Sequence, residues 1–164
     1  MENFADLLKA NEDYASRFTQ EELTGYAKKG LAVVTCMDSR IDPLNIVGMQ
    51  AGDAKILRNA GARVTEDVLR TLVLATHLLG VTRVLVMPHT DCRMASGEES
   101  DIHRQIKEAS GVDTRGIEIR TVRDQNKALF EDIQRIESYP LLPSGIKVMG
   151  AIYDVKTGKI NPIN

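Results

Sequence analysis

Short apolar runs alternate with amphipathic segments along this chain, and the alternation predicts how the chain folds. Runs rich in β-branched and aliphatic residues predict strands at 31–36, 54–58, 81–87 and 146–153. The turn after the last of these runs predicts a short returning edge strand that ends near Ile160. The segment 117–122 fits either a strand or an extended connector.

Apolar residues at helical spacing lie between these runs. They predict helices at 3–17, 65–79, 101–109 and 124–138, with a short helical turn at 42–47. Thr19-x-x-Glu22 is a capping-box pattern and predicts a second short helix after the first. The apolar residues of helix 65–79 occupy more than one face, so we expect coverage on two sides, by the sheet and by another helix or subunit.

Residues 1–29 form a predicted helical arm before the first strand. Its apolar residues, which include Phe4, Leu7 and Leu8, need a surface on which to pack. The sequence leaves two possibilities open, packing on the arm's own domain and packing across a partner subunit.

The order of strands separated by helices predicts one α/β domain over residues 1–164, with the arm at 1–29 and an α/β core at 30–164. Right-handed crossovers between such strands give a mainly parallel β-sheet flanked by helices. The returning segment adds an antiparallel edge strand near the C-terminus. No internal repeat or linker divides the chain, and its length is that of a single domain.

Composition narrows the classes of function. Lys and Arg number 21 against 23 for Asp and Glu, so the net charge of −2 favours neither nucleic acid nor an anionic membrane as a partner. No apolar run approaches the roughly 18 residues of a membrane span. The first residues lack the basic and apolar regions of a secretory signal, so we expect a cytoplasmic protein. Its two cysteines are then expected to be thiols, available for metal binding or catalysis.

Three chemically active side chains follow the strand 31–36. Cys36, Asp38 and Arg40 stand at every second position, so in an extended chain they project to the same side. A simpler interpretation treats Cys36 as a small core residue and Asp38 with Arg40 as a surface ion pair.

His89-x-x-Cys92 follows the strand 81–87, and this second cluster changes the interpretation of the first. The carboxyl ends of parallel strands lie on one side of a sheet, so Cys36, His89 and Cys92 are expected to meet there. Two thiolates and one imidazole suit Zn²⁺, and three protein ligands are typical of a catalytic zinc site that keeps one position for water.

Asp38 is the remaining candidate for the fourth position on the metal. Arg40 can draw the Asp38 carboxylate into a charged, bidentate hydrogen bond, which leaves that position to water. Asp38 is then free to accept a hydrogen bond from zinc-bound hydroxide and to orient it. Two other histidines receive no role: His77 is interpreted as packed and hydrogen-bonded, and His103 as solvent-exposed.

The motifs Cys36-Met-Asp38-Ser-Arg40 and His89-Thr-Asp-Cys92, with Arg58-Asn-Ala-Gly61 between them, resemble those of the β-class carbonic anhydrases. The His-Thr-Asp-Cys form and the short chain are most similar to the compact prokaryotic branch. The resemblance covers roughly residues 30–155. It implies a parallel sheet, one Zn²⁺ per chain, and a homodimer or homotetramer in which an N-terminal helical arm embraces the neighbour.

The same resemblance assigns roles to individual residues. Cys36, His89 and Cys92 would be the zinc ligands, and Asp38 and Arg40 the catalytic pair that gates the metal, with Asp38 as fourth ligand in a closed resting state. Asn59, Ala60 and Gly61 would help to line the substrate cleft. Two features depart from the family pattern: Arg93 stands where many members have glycine, and the chain has no tryptophan for a regulatory bicarbonate pocket.

The activity implied is reversible hydration of CO₂ to bicarbonate and a proton by zinc-bound hydroxide, in a narrow and largely apolar pocket. One alternative keeps the scaffold and hydrolyses carbonyl sulfide or carbon disulfide. Another is a non-catalytic zinc or redox-sensing protein in which Asp38 fills the fourth position permanently. A nucleotide-binding domain is disfavoured because the chain has neither a GxGxxG nor a GxxxxGK[ST] run.

Overall fold

The computed structural model describes residues 2–163, and for Glu2 the backbone alone. Its five strands are β1 (Leu31–Cys36), β2 (Ala54–Asn59), β3 (Arg83–Met87), β4 (Lys147–Tyr153) and β5 (Ile160–Pro162). They form one sheet in the order β2-β1-β3-β4-β5. The first three pairings are parallel and the pairing of β4 with β5 is antiparallel. The predicted α/β fold, with a mainly parallel sheet and an antiparallel strand near the C-terminus, is confirmed.

The helices are α1 (Ala5–Ala15), α2 (Pro43–Ile46), α3 (Glu66–Leu78), α4 (Glu99–Ser110) and α5 (Gln125–Glu137). Single 3₁₀ turns lie at Glu2–Phe4, Ala60–Ala62 and Arg93–Ala95. The side chains of Asp42, Thr65 and Asp124 cap α2, α3 and α5 by accepting a backbone N–H of the first turn. Within the described residues, no helix is long and apolar enough to cross a membrane.

The sheet carries a core on each face. Strand β1 is buried along its whole length, because β2 and β3 flank it and side chains cover both of its faces. Val34 packs in a cluster with Leu69 and Leu72 of α3, whereas Val33 packs in a second cluster that includes both cysteines. The carboxyl ends of β1 and β3 therefore lie side by side at the rim of a closely packed core.

One expectation about the helices is wrong. The segment after the capping-box pattern Thr19-x-x-Glu22 forms turns instead of a second helix. This stretch buries almost none of its side chains, and a helix of that length needs tertiary packing to persist. Part of helix α3 is uncovered in the single chain, because Leu74 and Leu78 are 45% and 62% exposed, and the expected cover on a second side, by another helix or subunit, stays a prediction. Residues 117–122 form the extended connector and not a strand.

The helix of the N-terminal arm packs against none of the chain's core. Helix α1 has no buried residue, and the apolar side chains of Leu7, Leu8 and Tyr14, with Phe4 just before the helix, are more than half exposed. Of the two possibilities left by the sequence, packing of α1 on its own domain is therefore excluded for the single chain.

Candidate metal centre

Two neighbouring strands bring the three predicted metal ligands together. Cys36 is the last residue of β1, and His89 and Cys92 lie on the loop after β3, which pairs with β1 in parallel. One ligand atom from each residue lies within 4.8 Å of the other two, and all three side chains are buried. Two sulfurs and one imidazole nitrogen in this arrangement can hold a single metal ion.

The imidazole of His89 is oriented for metal binding. Its Nδ1 donates a hydrogen bond of 2.8 Å to the carbonyl of Thr90, which leaves the lone pair on Nε2. That Nε2 atom is buried and has no hydrogen-bond partner among the described residues. A buried polar atom without a partner is costly, and a metal ion at this position removes the cost.

The two thiols are close enough to influence each other. Their Sγ atoms lie 4.0 Å apart, and the hydrogen bond between them lowers the pKa of Cys36 and raises that of Cys92. His89 also lowers the pKa of Cys36, while the Cys36 sulfur raises the pKa of His89. Negative charge is thus favoured on Cys36, which suits a thiolate ligand.

The turn at Ala60–Ala62 supports the Cys36 sulfur. The backbone N–H of Gly61 donates to Cys36 Sγ at 3.4 Å, with Gly61 at a φ of 81° that favours glycine. The side-chain amide of Asn59 bridges this turn, because it accepts the Arg63 N–H at 2.9 Å and donates to the Arg63 carbonyl at 2.7 Å. The side-chain amide of Asn59 therefore binds the loop backbone. Of the three residues predicted to line the cleft, Gly61 is the one that contacts a proposed metal ligand, Cys36.

Asp38 and Arg40 form the pair that their spacing predicts. Arg40 Nε and Nη2 donate to the two carboxylate oxygens of Asp38 at 2.9 and 2.8 Å. This hydrogen-bonded guanidinium holds the pKa of Asp38 well below its usual range, so the carboxylate is ionised. Its Oδ2 lies 3.8 Å from His89 Nε2, beside the three-ligand cluster but outside it.

Sequence reasoning gave no role to two residues that hold this pair. Arg58 donates to the carbonyls of Cys36 and Asp38 at 3.0 and 2.6 Å and so fixes the segment between them. Asp91 accepts a hydrogen bond of 2.7 Å from Arg40. In the sequence, the signal for Arg58 was its place in Arg58-Asn-Ala-Gly61, and the signal for Asp91 was its place between His89 and Cys92.

A narrow recess beside Cys92 offers only about 10 Å³ to the centre of a water-sized molecule, which is about the space that one water occupies. Its lining is mostly apolar and includes Gly61, Pro88, Cys92, Met94, Val122 and Leu129. Its polar part contains Gln125, which donates to the His89 carbonyl at 2.9 Å, and the ion pair of Arg63 with the buried Asp132 at 2.7 Å. The recess is narrow and largely apolar, so any molecule that enters it must be very small.

The other two histidines lie outside the centre. His77 is exposed, and its Nε2 donates to the Leu141 carbonyl at 2.9 Å, so it is hydrogen-bonded as expected but not packed in the core. The expectation that His103 is solvent-exposed is wrong: its side chain is 12% exposed. The reason is that His103 Nδ1 shares a hydrogen bond of 2.8 Å with Thr114 Oγ1 in the segment that folds back over α4.

A parallel α/β fold with a Cys-His-Cys cluster at the carboxyl ends of its strands defines a class of metal-binding enzymes. A family model described as "Carbonic anhydrase" matches residues 31–160. Beta-carbonic anhydrase 1 of Mycobacterium tuberculosis is 34% identical over 158 residues, covering 96% of both chains. The chain belongs to the β-class carbonic anhydrase family, as its motifs suggested.

Solved structures and a second group of relatives add detail. A carbonic anhydrase from Streptococcus mutans is 38% identical with a TM-score of 0.92, over 100% of this chain and 99% of that one. A carbonic anhydrase from Glaciozyma antarctica is 33% identical with a TM-score of 0.82, over 95% of each chain. A protein named carbon disulfide hydrolase from Acidianus is 30% identical over 181 residues, covering 96% of this chain and 87% of that one.

Proposed function

We propose that this chain catalyses the reversible hydration of CO₂ to bicarbonate and a proton, with one Zn²⁺ per chain held by Cys36, His89 and Cys92. The observation that carries the proposal is the position of Asp38. Three donors converge on one point, while the neighbouring Asp38 carboxylate is bound by Arg40 and lies outside the cluster. A closed structural zinc site needs four protein ligands, and this arrangement offers three, which is the number found in catalytic sites.

Zinc in such a site acts as a Lewis acid that makes water nucleophilic near neutral pH, an effect for which carbonic anhydrase is the standard example. The residues of this chain supply the rest. Asp38 is ionised and can accept a hydrogen bond from water beside His89, which orients the water for attack. Arg40 holds Asp38 in that role and away from the metal. The apolar recess beside Cys92 suits a small, linear, uncharged substrate.

Hydrolysis of carbonyl sulfide or carbon disulfide is the second candidate. It is favoured by the likeness to proteins named carbon disulfide hydrolase, although the relatives named carbonic anhydrase include more similar ones. Both substrates are linear and apolar, as CO₂ is, so the ligand set does not discriminate between them. Initial rates on CO₂, carbonyl sulfide and carbon disulfide, measured with one zinc-loaded preparation, decide between the two.

The test of the main proposal combines metal content with turnover. We expect about one zinc per chain and rapid CO₂ hydration in a stopped-flow assay between about pH 6 and 9. Zinc-loaded protein without hydration activity would contradict the proposed reaction and leave the non-catalytic zinc or redox-sensing role. A metal-free protein that binds no added zinc would contradict the proposed site as well.

We also propose that the chain works as a homodimer or homotetramer, with α1 packed on a partner subunit. The support is the apolar side of the N-terminal arm, where Phe4, Leu7 and Leu8 are each more than half exposed in the single chain. Sedimentation velocity of the protein and of a Leu7→Asp, Leu8→Asp double variant tests this, because the introduced charges should dissociate the oligomer and lower its sedimentation coefficient.

A cytoplasmic location, without nucleic acid or membrane partners, stays a prediction.

A further inference from the structure

The chain contains a second Asp-x-Arg pair, which serves as an internal comparison for Asp38 and Arg40. In both pairs the arginine Nε donates to the aspartate Oδ1 at 2.9 Å, and the arginine backbone N–H donates to the same oxygen. Asp113 and Arg115 form this unit on the surface, far from any metal ligand in sequence. The Asp-x-Arg spacing alone therefore builds the pair, and it does not explain where the pair at the metal centre points.

Arg40 differs from Arg115 in having a further partner. Its Nη1 donates to the Asp91 carboxylate at 2.7 Å, and its Nη2 donates to the Asp91 carbonyl at 3.1 Å. Arg115, within the part of the chain that the structure describes, bonds to Asp113 alone. Asp91 lies between His89 and Cys92, so its bonds join Arg40 to the loop that carries two metal ligands.

The backbone at Asp91 is also specialised. Its φ of 56° lies in the left-handed region, which aspartate and asparagine adopt more readily than most other residues. This conformation turns the chain between His89 and Cys92, where the Asp91 carboxylate and carbonyl both meet the Arg40 guanidinium. The loop thus presents two acceptors to one arginine.

The position of Arg40 decides the position of Asp38. The Asp38 Oδ2 atom is only 3.8 Å from the His89 nitrogen that faces the metal position. A short movement of the Asp38–Arg40 unit would bring this carboxylate onto the metal in place of water. The bonds between Asp38 and Arg40 move with the unit, whereas the bonds from Arg40 to Asp91 oppose its movement, and Arg58 holds the Asp38 backbone.

We propose that Asp91 is a positioning residue that anchors Arg40 and so keeps Asp38 off the metal, leaving the fourth position open to water and small anions. The inference rests on the proposed function and adds a third member to the Asp38–Arg40 pair. Removing the Asp91 carboxylate shifts the site toward the closed state in which Asp38 is the fourth ligand.

The test uses the full chain loaded with Co²⁺ and titrated with azide at constant ionic strength, followed by visible absorption. Asp91→Asn keeps the shape and the tolerance of positive φ, and Asp91→Gly removes the side chain without strain. We expect both variants to weaken azide binding by about threefold, the size of effect typical of an exposed ion pair. Loss of a negative charge alone would tighten azide binding, so unchanged or tighter binding in both variants overturns the proposal.

Two controls make the test specific. Asp113→Asn removes the matching carboxylate of the surface pair and should leave the azide affinity unchanged. In an Asp38→Ala background the Asp38 carboxylate cannot close the site, so adding Asp91→Asn should leave azide binding as tight or slightly tighter, through the lost negative charge alone. Weakening by Asp91→Asn in that background would show that Asp91 does not act through Asp38 and would overturn the proposal. The titration needs no CO₂, so a failure of the proposed reaction is detected separately.

Discussion

The Sγ atoms of Cys36 and Cys92 lie 4.0 Å apart, although 56 residues separate them in sequence. Zinc–sulfur bonds of about 2.3 Å at a tetrahedral angle place two sulfurs about 3.8 Å apart. The chain thus holds its two thiols near the separation that one zinc ion requires. The parallel pairing of β1 with β3 determines this spacing, because each cysteine lies at or just after the end of its strand.

The first prediction is that each proposed ligand is required for zinc retention. Cys36→Ser or His89→Ala leaves two donors of the original set, so we expect zinc to be lost on dialysis and CO₂ hydration with it. Zinc is measured by atomic emission against protein concentration. His77→Ala is the matched control, since His77 is exposed and its Nε2 bonds to the Leu141 carbonyl, away from the metal centre. Retention of a full zinc equivalent by His89→Ala would remove His89 from the ligand set.

The second prediction separates metal binding from turnover. Asp38→Ala leaves the three-ligand cluster intact, so the zinc content should stay at about one per chain while most CO₂ hydration is lost. The physical reason is that the variant lacks the Asp38 carboxylate, which can orient water beside His89. Asp113→Ala is the control, because it removes a carboxylate with the same Asp-x-Arg hydrogen bonds at the surface. An Asp38→Ala protein with an undiminished rate would exclude Asp38 from the mechanism.

The third prediction concerns the turn that supports Cys36. Asn59→Ala removes both hydrogen bonds that hold the backbone of Arg63, and the Gly61 N–H then loses its fixed direction toward the Cys36 sulfur. Loss of such outer contacts typically weakens metal binding by about 10- to 100-fold. Zinc affinity is measured by competition with a chromophoric chelator.

Asn45→Ala is the control for the turn, since Asn45 also bonds through its side-chain amide but on the exposed surface beside Asp42. It should leave the zinc affinity unchanged. The Co²⁺-loaded protein gives a second measurement, because a displaced Gly61 N–H should shift the sulfur-to-cobalt charge-transfer band of Asn59→Ala. Wild-type zinc affinity together with an unshifted band would exclude a supporting role for Asn59.

Much of the fold followed from the sequence because apolar periodicity and β-branched runs determine the elements locally. The same reasoning led to the expectation that Cys36, His89 and Cys92 meet, since parallel strands end at one side of a sheet. The donors do lie together, and their role as zinc ligands stays a prediction.

The features that the sequence did not predict correctly share a physical origin. His103 and Asp91 owe their surroundings to loops that meet only in three dimensions, one through Thr114 and the other through Arg40. The capping-box pattern at Thr19 was a local signal, and the segment that follows it is almost entirely exposed, so little packing is available to support a helix there. Neither loop geometry nor missing packing is encoded in short-range periodicity.

The last prediction concerns the packing of α5 on β4. A Cβ atom added at Gly150 would lie 2.5 Å from Ile133 Cδ1 and 2.9 Å from Leu129 Cγ, and Leu129 is fully buried. The clash must displace core side chains, so Gly150→Ala should lower the free energy of unfolding by about 1–3 kcal/mol, measured by urea titration of zinc-loaded protein. Gly116→Ala meets nothing within 4 Å and should leave the stability nearly unchanged. Equal stability of the two variants would mean that α5 can shift away from the sheet at no cost.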